Sequence, residues 1–454
     1  MKNAIFCLTN FKFSYPFSSS QINLTGELKI NQGDIVLING KSGSGKSTLL
    51  YALKGLIPEF IPGSMQGSIY FKHKPIHKLE AAEKRQIGLV LQNPDSQMIS
   101  HQVLPELAFG LENLAVPPAQ ILSKINQTTR NLKLEYLLSR EINSLSGGEK
   151  QKIALLSVLL TDPEVILLDE PTAFLDPVSA QTFIQLLTHL AGTKTIIIIE
   201  HNLHYLKSLA NRYLEIEDGG QIVEKSLAEV NWAPTLAQPT LAKLSPLADT
   251  LLEVRNLTYR YSKDSPNLLQ QLNFQLKRGE IIGLRGASGS GKSTLLKILA
   301  KLIKIPAGQV FWQNQEITKI SPKTYYKQLA LLFQNPEHHF LFNTVAQELV
   351  ANPALLELVG LTQHKEQNPF TLSEGQKRRL SIAILCATLK RQVYLLDEPT
   401  FGQDNVNKQI LLDLISQMQQ SGASFIIVSH DKLFLTAICH KLFTLTQGQL
   451  YESV

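Results

Sequence analysis

Two stretches of this chain, GKSGSGKS at 40–47 and GASGSGKS at 286–293, combine glycine, lysine and serine at the spacing that cradles a polyphosphate. Gly40, Gly43 and Gly45, and Gly286, Gly289 and Gly291 in the second stretch, let backbone N–H groups turn inward on phosphate oxygens. Lys46 and Lys292 reach the outer phosphates, and Ser47 and Ser293 offer a hydroxyl to Mg2+. A helix opening through Thr48 or Thr294 adds partial positive charge. A Gly/Ser-rich turn can match such a pattern by chance once; two matches, each between an apolar strand and a helix-forming run, cannot be dismissed that way.

A second pair of stretches supplies the acidic half of the chemistry. EVILLDEPT (164–172) and QVYLLDEPT (392–400) are apolar strands whose last carboxylates emerge at the C-terminal edge, where parallel α/β sheets hold ligands. Asp169 and Asp397 are placed to hold the water shell of Mg2+, and Glu170 and Glu398 to orient and activate an attacking water. A lone Asp-Glu after a strand is more often a helix cap. Its recurrence downstream of both phosphate loops favours the catalytic reading.

The elements that must position these groups are themselves repeated. Lys46 and Lys292 lie 246 residues apart, and each is preceded by strand-like alternation and a buried strand, DIVLING or EIIGLRG. Each copy closes on an apolar strand and a histidine, TIIIIEH or SFIIVSH, followed by a hairpin with a glycine turn. The chain of 454 residues therefore divides into domain 1 (1–225), a connector (226–250) and domain 2 (251–454). The connector carries three prolines and few charges, so it reads as extended rather than as a helical arm.

Composition narrows the class. With 44% hydrophobic and 18% charged residues the chain is globular rather than disordered. The net charge of +6 is scattered, so a basic surface does not by itself argue for nucleic acid. Cys7, Cys386 and Cys439 make no metal spacing and read as reduced thiols of a cytosolic protein. The start has no signal-peptide pattern and no apolar run is long enough to span a bilayer, so work at a membrane would require docking onto other proteins.

These motifs resemble the nucleotide-binding subunits of ABC transporters, twice over and across nearly the whole chain. The most specific element is LSGGE (145–149) and LSEGQ (372–376), similar to that family's signature. The resemblance implies two tandem P-loop NTPase domains of ABC type, each with an α/β core, an antiparallel β subdomain and a helical signature subdomain. It implies ATP and Mg2+ as cofactors and ATP hydrolysis as the activity. Tyr15 and Tyr261 become candidate adenine-stacking rings, with sheet core as the competing role. Gln92 and Gln334 become Q-loop glutamines that also approach the metal, AFLD and FGQD become D-loops, and His201 and His430 switch histidines. In this family each ATP lies between the phosphate loop of one domain and the signature of the other. The implied pseudo-dimer pairs Lys46 and its partners with Ser373 and Gly375, and Lys292 and its partners with Ser146, Gly147 and Gly148.

The copies are unequal. Glu374 stands where the family usually has a first signature glycine, and an outward pose is expected because Ser373 and Gly375 remain. Gln92 precedes Ser146 by 54 residues but Gln334 precedes Ser373 by only 39, so domain 2 is expected to have lost about one helix. LQNPDSQM (91–98) and FQNPEHHFLFNTVAQEL (333–349) are similar to the ATPases of energy-coupling-factor importers, which take up vitamins and transition metals in prokaryotes. That likeness implies a transmembrane coupling protein and a substrate-binding membrane subunit as partners, and a peripheral place on the cytoplasmic face of the membrane. It also implies that Asp95 and Glu337 meet a basic residue of the coupling protein. His338 and His339 are expected to line a groove rather than bind metal. Competing readings are a fused sugar-importer ATPase and a soluble tandem ABC protein acting on ribosomes or nucleic acid.

Overall fold

A computed structural model describes residues 4–16, 21–41, 43–173, 175–233, 236, 238–239, 242–262, 264–305, 307–387 and 391–453. Phe174 of the first D-loop and parts of the connector lie outside the described residues. The chain forms two compact units, Met1–Pro234 and Thr235–Val454.

The first unit contains β1 (Ala4–Ser14), β2 (Gln21–Asn31), β3 (Ile35–Gly40), β4 (Ser64–Phe71), β5 (Lys74–Pro75), β6 (Ile87–Val90), β7 (Val165–Asp169), β8 (Thr195–Ile199), β9 (Arg212–Ile216) and β10 (Ile222–Lys225). Among the described residues these form an antiparallel sheet, β2-β1-β4-β5, and a six-stranded sheet, β10-β9-β3-β8-β7-β6, parallel except for β10. Every residue of β7 and β8 is buried, as expected of strands covered on both faces. The order carries β3, β7 and β8 side by side, so the phosphate loop after β3 and the carboxylates ending β7 share one edge.

The second unit repeats this with β11 (Thr250–Tyr259), β12 (Leu269–Lys277), β13 (Ile281–Arg285), β14 (Ala307–Trp312), β15 (Gln315–Glu316), β16 (Leu329–Leu332), β17 (Val393–Asp397), β18 (Ser424–Val428), β19 (Lys441–Thr446) and β20 (Gln449–Ser453). The sheet orders are β12-β11-β14-β15 and β16-β17-β18-β13-β19-β20. The fold is thus two tandem phosphate-loop domains of α/β architecture.

Two helices, Val103–Glu112 and Pro118–Leu132, precede the signature helix Gly147–Leu160 in the first unit. The second unit keeps both, as Val345–Glu348 and Pro353–Leu358, ahead of Glu374–Ala387. The expectation of one lost helix is therefore corrected: the shorter spacing shrinks both helices and removes neither. The stretch 226–250 is shared between the units. Leu227, Val230 and Trp232 pack on the first-unit core, Leu236 packs on the second, and Gln419 Nε2 donates to Leu244 O at 2.9 Å. No helix occurs among its described residues.

Each antiparallel sheet carries the same irregularity, a register shift where Asn10 faces Gly67 and Asn256 faces Gly308. All four have positive φ, and a Cβ on Gly67 would stand 2.3 Å from Asn10 O. Gly67→Ala is therefore expected to destabilise the first unit by about 2 kcal/mol. Chemical denaturation followed by circular dichroism would show the loss, and an unchanged midpoint would contradict it.

Candidate nucleotide sites in the two units

Each phosphate loop leaves a buried strand and enters a helix, Lys46–Lys54 or Lys292–Leu299, capped by a glycine with φ 93° or 104°. Side chains are excluded there: a Cβ on Gly45 would lie 2.4 Å from Ile22, and one on Gly291 2.9 Å from Leu269. Gly43 and Gly289 also have positive φ. Lys46 Nζ donates to Gly40 O and Lys41 O at 2.8 Å, and Lys292 Nζ makes the same pair of bonds to Gly286 O and Ala287 O. Both ammonium groups are thus held over the mouths of their loops.

Ser47 Oγ donates to Asp169 Oδ1 at 3.0 Å, joining the hydroxyl and carboxylate expected at the metal. Asp397 stands in the same relation to Ser293, whose hydrogen bond pulls the Asp397 pKa down against burial. Asp397 Oδ1 and the hydroxyls of Ser44 and Ser290 are buried without a hydrogen-bond partner among the described residues. Orphaned oxygens at the loop and the strand end are what a phosphate and a hydrated cation would satisfy, so the residues present fit Mg2+-ATP.

Burial dominates the electrostatics. It pushes the Asp169 carboxyl up to about 7, with the Glu170 charge adding and Ser47 and Lys46 opposing. It likewise raises Asp397, and raises Glu398 further with the neighbouring Asp397 charge.

The other sequence-flagged residues gather around these edges. Tyr15 Oη lies 2.9 Å from Thr48 Oγ1, and Tyr261 Oη lies 2.9 Å from Thr294 Oγ1. Each ring thus sits beside its phosphate-loop helix, and Tyr261 is 69% exposed, unlike a core residue. Gln92 Nε2 donates to Glu170 Oε2 at 2.8 Å, and His201 Nε2 is 3.2 Å from Glu170 Oε1. His430 Nε2 is 3.4 Å from Glu398 Oε1, while Gln334 is exposed.

Ser146 caps its signature helix through a capping box, its N–H donating to Glu149 and its hydroxyl accepting from Glu149 N. Ser373 and Gln376 make the same reciprocal pair. Glu and Gln both offer the accepting oxygen, which is why Glu149 changes little. Glu374 lies in the first turn of its helix with its carboxylate 3.3 Å from Lys377 Nζ, folded back on its own helix.

Several interactions were not foreseen in the sequence. Asp95 and Glu337, assigned to a partner's basic residue, are already paired with the chain's own signature-helix lysines, Lys150 at 2.6 Å and Lys377 at 2.5 Å. His339 Nε2 accepts from Phe333 N at 3.0 Å, as Gln97 Oε1 accepts from Leu91 N, so this histidine braces the Q-loop. No cluster of three or more His, Cys, Asp or Glu side chains placed to hold a metal ion occurs among the described residues. Glu106 and Glu348, both buried, each accept two backbone N–H bonds, from Ile99 and Ser100 and from Leu341 and Phe342. Their signal was a glutamate inside an apolar helix. Glu200, directly after four isoleucines, is fully buried, and its residue type beside His201 carried no signal of that.

A phosphate loop, an acidic strand end and a serine-capped helix, all present twice, define two ATP-hydrolysing domains on one polypeptide. The family model described as ABC transporter matches residues 25–173 and 269–401, and the chain belongs to that family. ABC ATPase domains bind ATP with Mg2+. The chain is 32% identical to the "Putative HMP/thiamine import ATP-binding protein YkoD" of Bacillus subtilis, covering 95% of this chain and 88% of that protein. It is 33% identical to a "Putative ABC transporter ATP-binding protein" of Sulfurisphaera tokodaii over 96% of this chain and 95% of the relative. Among solved structures it resembles the archaeal ribosome recycling factor aABCE1 in complex with the stalk protein aP1. That match has TM-score 0.63 and 21% identity and covers 98% of this chain and 89% of the other, a likeness of fold.

The raised Asp169 pKa has a consequence for stability. Between the unfolded value near 4 and the folded value of about 7, the folded state binds a proton that the unfolded state releases, so stability falls as pH rises through that window. Without nucleotide and with a chelator present, Asp169→Asn is expected to melt about 3–8 °C above the parent at pH 8, with the gap closing toward pH 4. A gap independent of pH would show that burial of the charge is not the cause.

Proposed function

We propose that this chain is the ATP-hydrolysing subunit of an importer of the energy-coupling-factor type, serving uptake of a vitamin or a transition metal from the cytoplasmic face of a prokaryotic membrane. The observation that carries the reading is a pair of rigidly held apolar loops beside the Q-loops. Ile99, Leu341 and Phe342 are 65%, 84% and 51% exposed, yet the backbone presenting them is pinned by buried Glu106 and Glu348. Ordering an apolar tip in water is unfavourable unless a partner covers it. Helices of a transmembrane coupling protein, which in turn carries a substrate-binding membrane subunit, suit such a surface. The import named for the Bacillus subtilis relative, over 95% of this chain, supports the same reading. No helix among the described residues is long and apolar enough to cross a membrane.

In this reading the phosphate loops hold ATP through backbone N–H groups, Lys46 and Lys292, with Tyr15 and Tyr261 beside the base. Ser47, Gln92 and Asp169, and Ser293, Gln334 and Asp397, would hold Mg2+, which when bound neutralises phosphate charge. Glu170 and Glu398 accept the proton of the attacking water, and His201 and His430 orient the γ-phosphate side of the site. Ser146, Gly147 and Gly148 serve the nucleotide of the second domain, and Ser373 and Gly375 that of the first. ATP binding then closes the pair and hydrolysis reopens it. The ribosome-factor likeness, at 21% identity, concerns the fold.

Affinity purification of the tagged chain from detergent-solubilised membranes of its host, read by mass spectrometry, tests the transport reading. A coupling membrane protein and a small binding subunit are expected. Ribosomal proteins without a membrane partner would overturn it. Separately, Glu170→Gln combined with Glu398→Gln is expected to lower ATP turnover by about 100-fold or more while ATP stays bound. Unchanged turnover would remove both glutamates from the chemistry.

A further inference from the structure

The signature helices Gly147–Leu160 and Glu374–Ala387 carry different residues at their fifth position, Gln151 in the first unit and Arg378 in the second. Both side chains are buried. Arg378 donates to Phe333 O at 3.1 Å and to Gln334 O, the two residues that follow β16. Its guanidinium carbon also lies 5.9 Å from the ring centroid of Phe401, in the loop after Glu398. One buried cation therefore joins the second signature helix to its Q-loop backbone and to that neighbouring loop.

The first unit holds its Q-loop by other means. Gln151 offers both a donor and an acceptor, yet its Nε2 and Oε1 are buried without a hydrogen-bond partner among the described residues. Ala173 stands where Phe401 supplies its ring, and Leu175 where Gln403 Nε2 donates to Gly375 O at 3.1 Å. The first Q-loop is joined to the nucleotide edge instead, through Gln92 Nε2, which donates to Glu170 Oε2 at 2.8 Å. Gln334, by contrast, is exposed.

Elsewhere the two Q-loops are braced alike. Leu91 N and Phe333 N each donate to a side chain six residues on, and Asp95–Lys150 and Glu337–Lys377 tether the segment that follows. The difference therefore falls on Arg378 against Gln151. A hydrogen bond from a charged donor is stronger than one from a neutral amide, and withdrawing both carbonyls would leave a guanidinium buried without them. Movement of the second Q-loop off its helix is opposed by that cost. Movement of the first breaks no bond to Gln151, and a ligand that draws Gln92 from Glu170 carries the loop with it.

We infer that Arg378 is a positioning residue that keeps the second Q-loop on its signature helix whether or not nucleotide is bound, and that the first Q-loop, which Gln151 does not hold, shifts when Mg2+-ATP binds. The inference rests on both units binding nucleotide at their phosphate loops and is independent of the import reading.

Hydrogen exchange of the full-length chain, read by mass spectrometry with and without Mg2+ and the non-hydrolysable analogue AMP-PNP, supplies the test. Slower exchange over 40–54 and 286–299 is expected in both units and reports that each phosphate loop is occupied. On binding, the peptide over 90–98 is expected to change its exchange rate by about fivefold or more, and that over 332–340 by less than about twofold. Equal changes, or a larger change at 332–340, would overturn the inference; no change at 90–98, or no protection at 286–299, would overturn it as well. Arg378→Gln, which installs the first unit's residue, is expected to raise the response of 332–340 to about that of 90–98, with Arg378→Lys, which keeps the charge but not the fork, falling between. Gln151→Arg is expected to quiet 90–98 to within about twofold. That variant and the unmodified chain decide the matter should Arg378→Gln fail to fold. An Arg378→Gln chain that melts earlier while 332–340 stays unresponsive would reduce Arg378 to a purely structural role.

Discussion

The structure turns on one difficulty: carboxylates must be kept in a dry sheet edge beside a loop built to hold phosphates. Asp169 and Asp397 end strands whose every residue is buried, and burial is the largest cause pushing both carboxyls up. An uncompensated charge there is costly, and the compensation comes from the ligand side of the site, a lysine, a serine hydroxyl and, in function, a cation. The parallel order of strands follows from this need, since it alone carries the phosphate loop and the acidic strand end to the same edge.

Around that edge both units answer the same mechanical demands with different residues. The Q-loop backbone is received by Gln97 in one unit and His339 in the other, and the segment after it is tethered to the signature helix by Asp95–Lys150 or Glu337–Lys377. Capping boxes built on Glu149 or Gln376 fix both signature serines. Such substitutions preserve geometry because each replaces one acceptor by another at the same place. The exchange of Glu200 for Ser429 does not, because the four donors that Glu200 takes, Thr172 N and Oγ1, His201 N and Asn202 N, cannot be met by one hydroxyl.

Much of the site was legible because its chemistry is carried by short contiguous motifs. The phosphate loops, the strand-end carboxylates and the signatures each confine their requirements to fewer than ten residues, and the 246-residue repeat exposed them twice. Glu106, Glu200, Glu348 and Arg378 were not legible. A buried charged side chain does its work through partners distant in the chain, or through backbone donors whose direction only the folded loop defines, and its residue type looks like an ordinary surface position. Asp95 and Glu337 show the converse, since a plausible external partner was assigned while the actual cation stood 55 and 40 residues away in the same unit.

The amino-acid sequence by itself determined that this is a tandem pair of ABC-type ATPase domains, because glycine at forced backbone positions, lysine at phosphate reach and carboxylates at strand ends are dictated by local geometry. It also determined that the copies differ. Only the tertiary structure decided where they differ in consequence. The shortened region before the second signature kept both helices, and Glu374 folded onto Lys377, so these visible departures were absorbed locally. A single buried position before the histidine instead changed which acceptor takes that histidine's backbone N–H, Glu200 in the first unit and Glu398 in the second. Hydrogen bonds are shared among whatever groups converge in space, and convergence is a property of packing rather than of neighbouring residues.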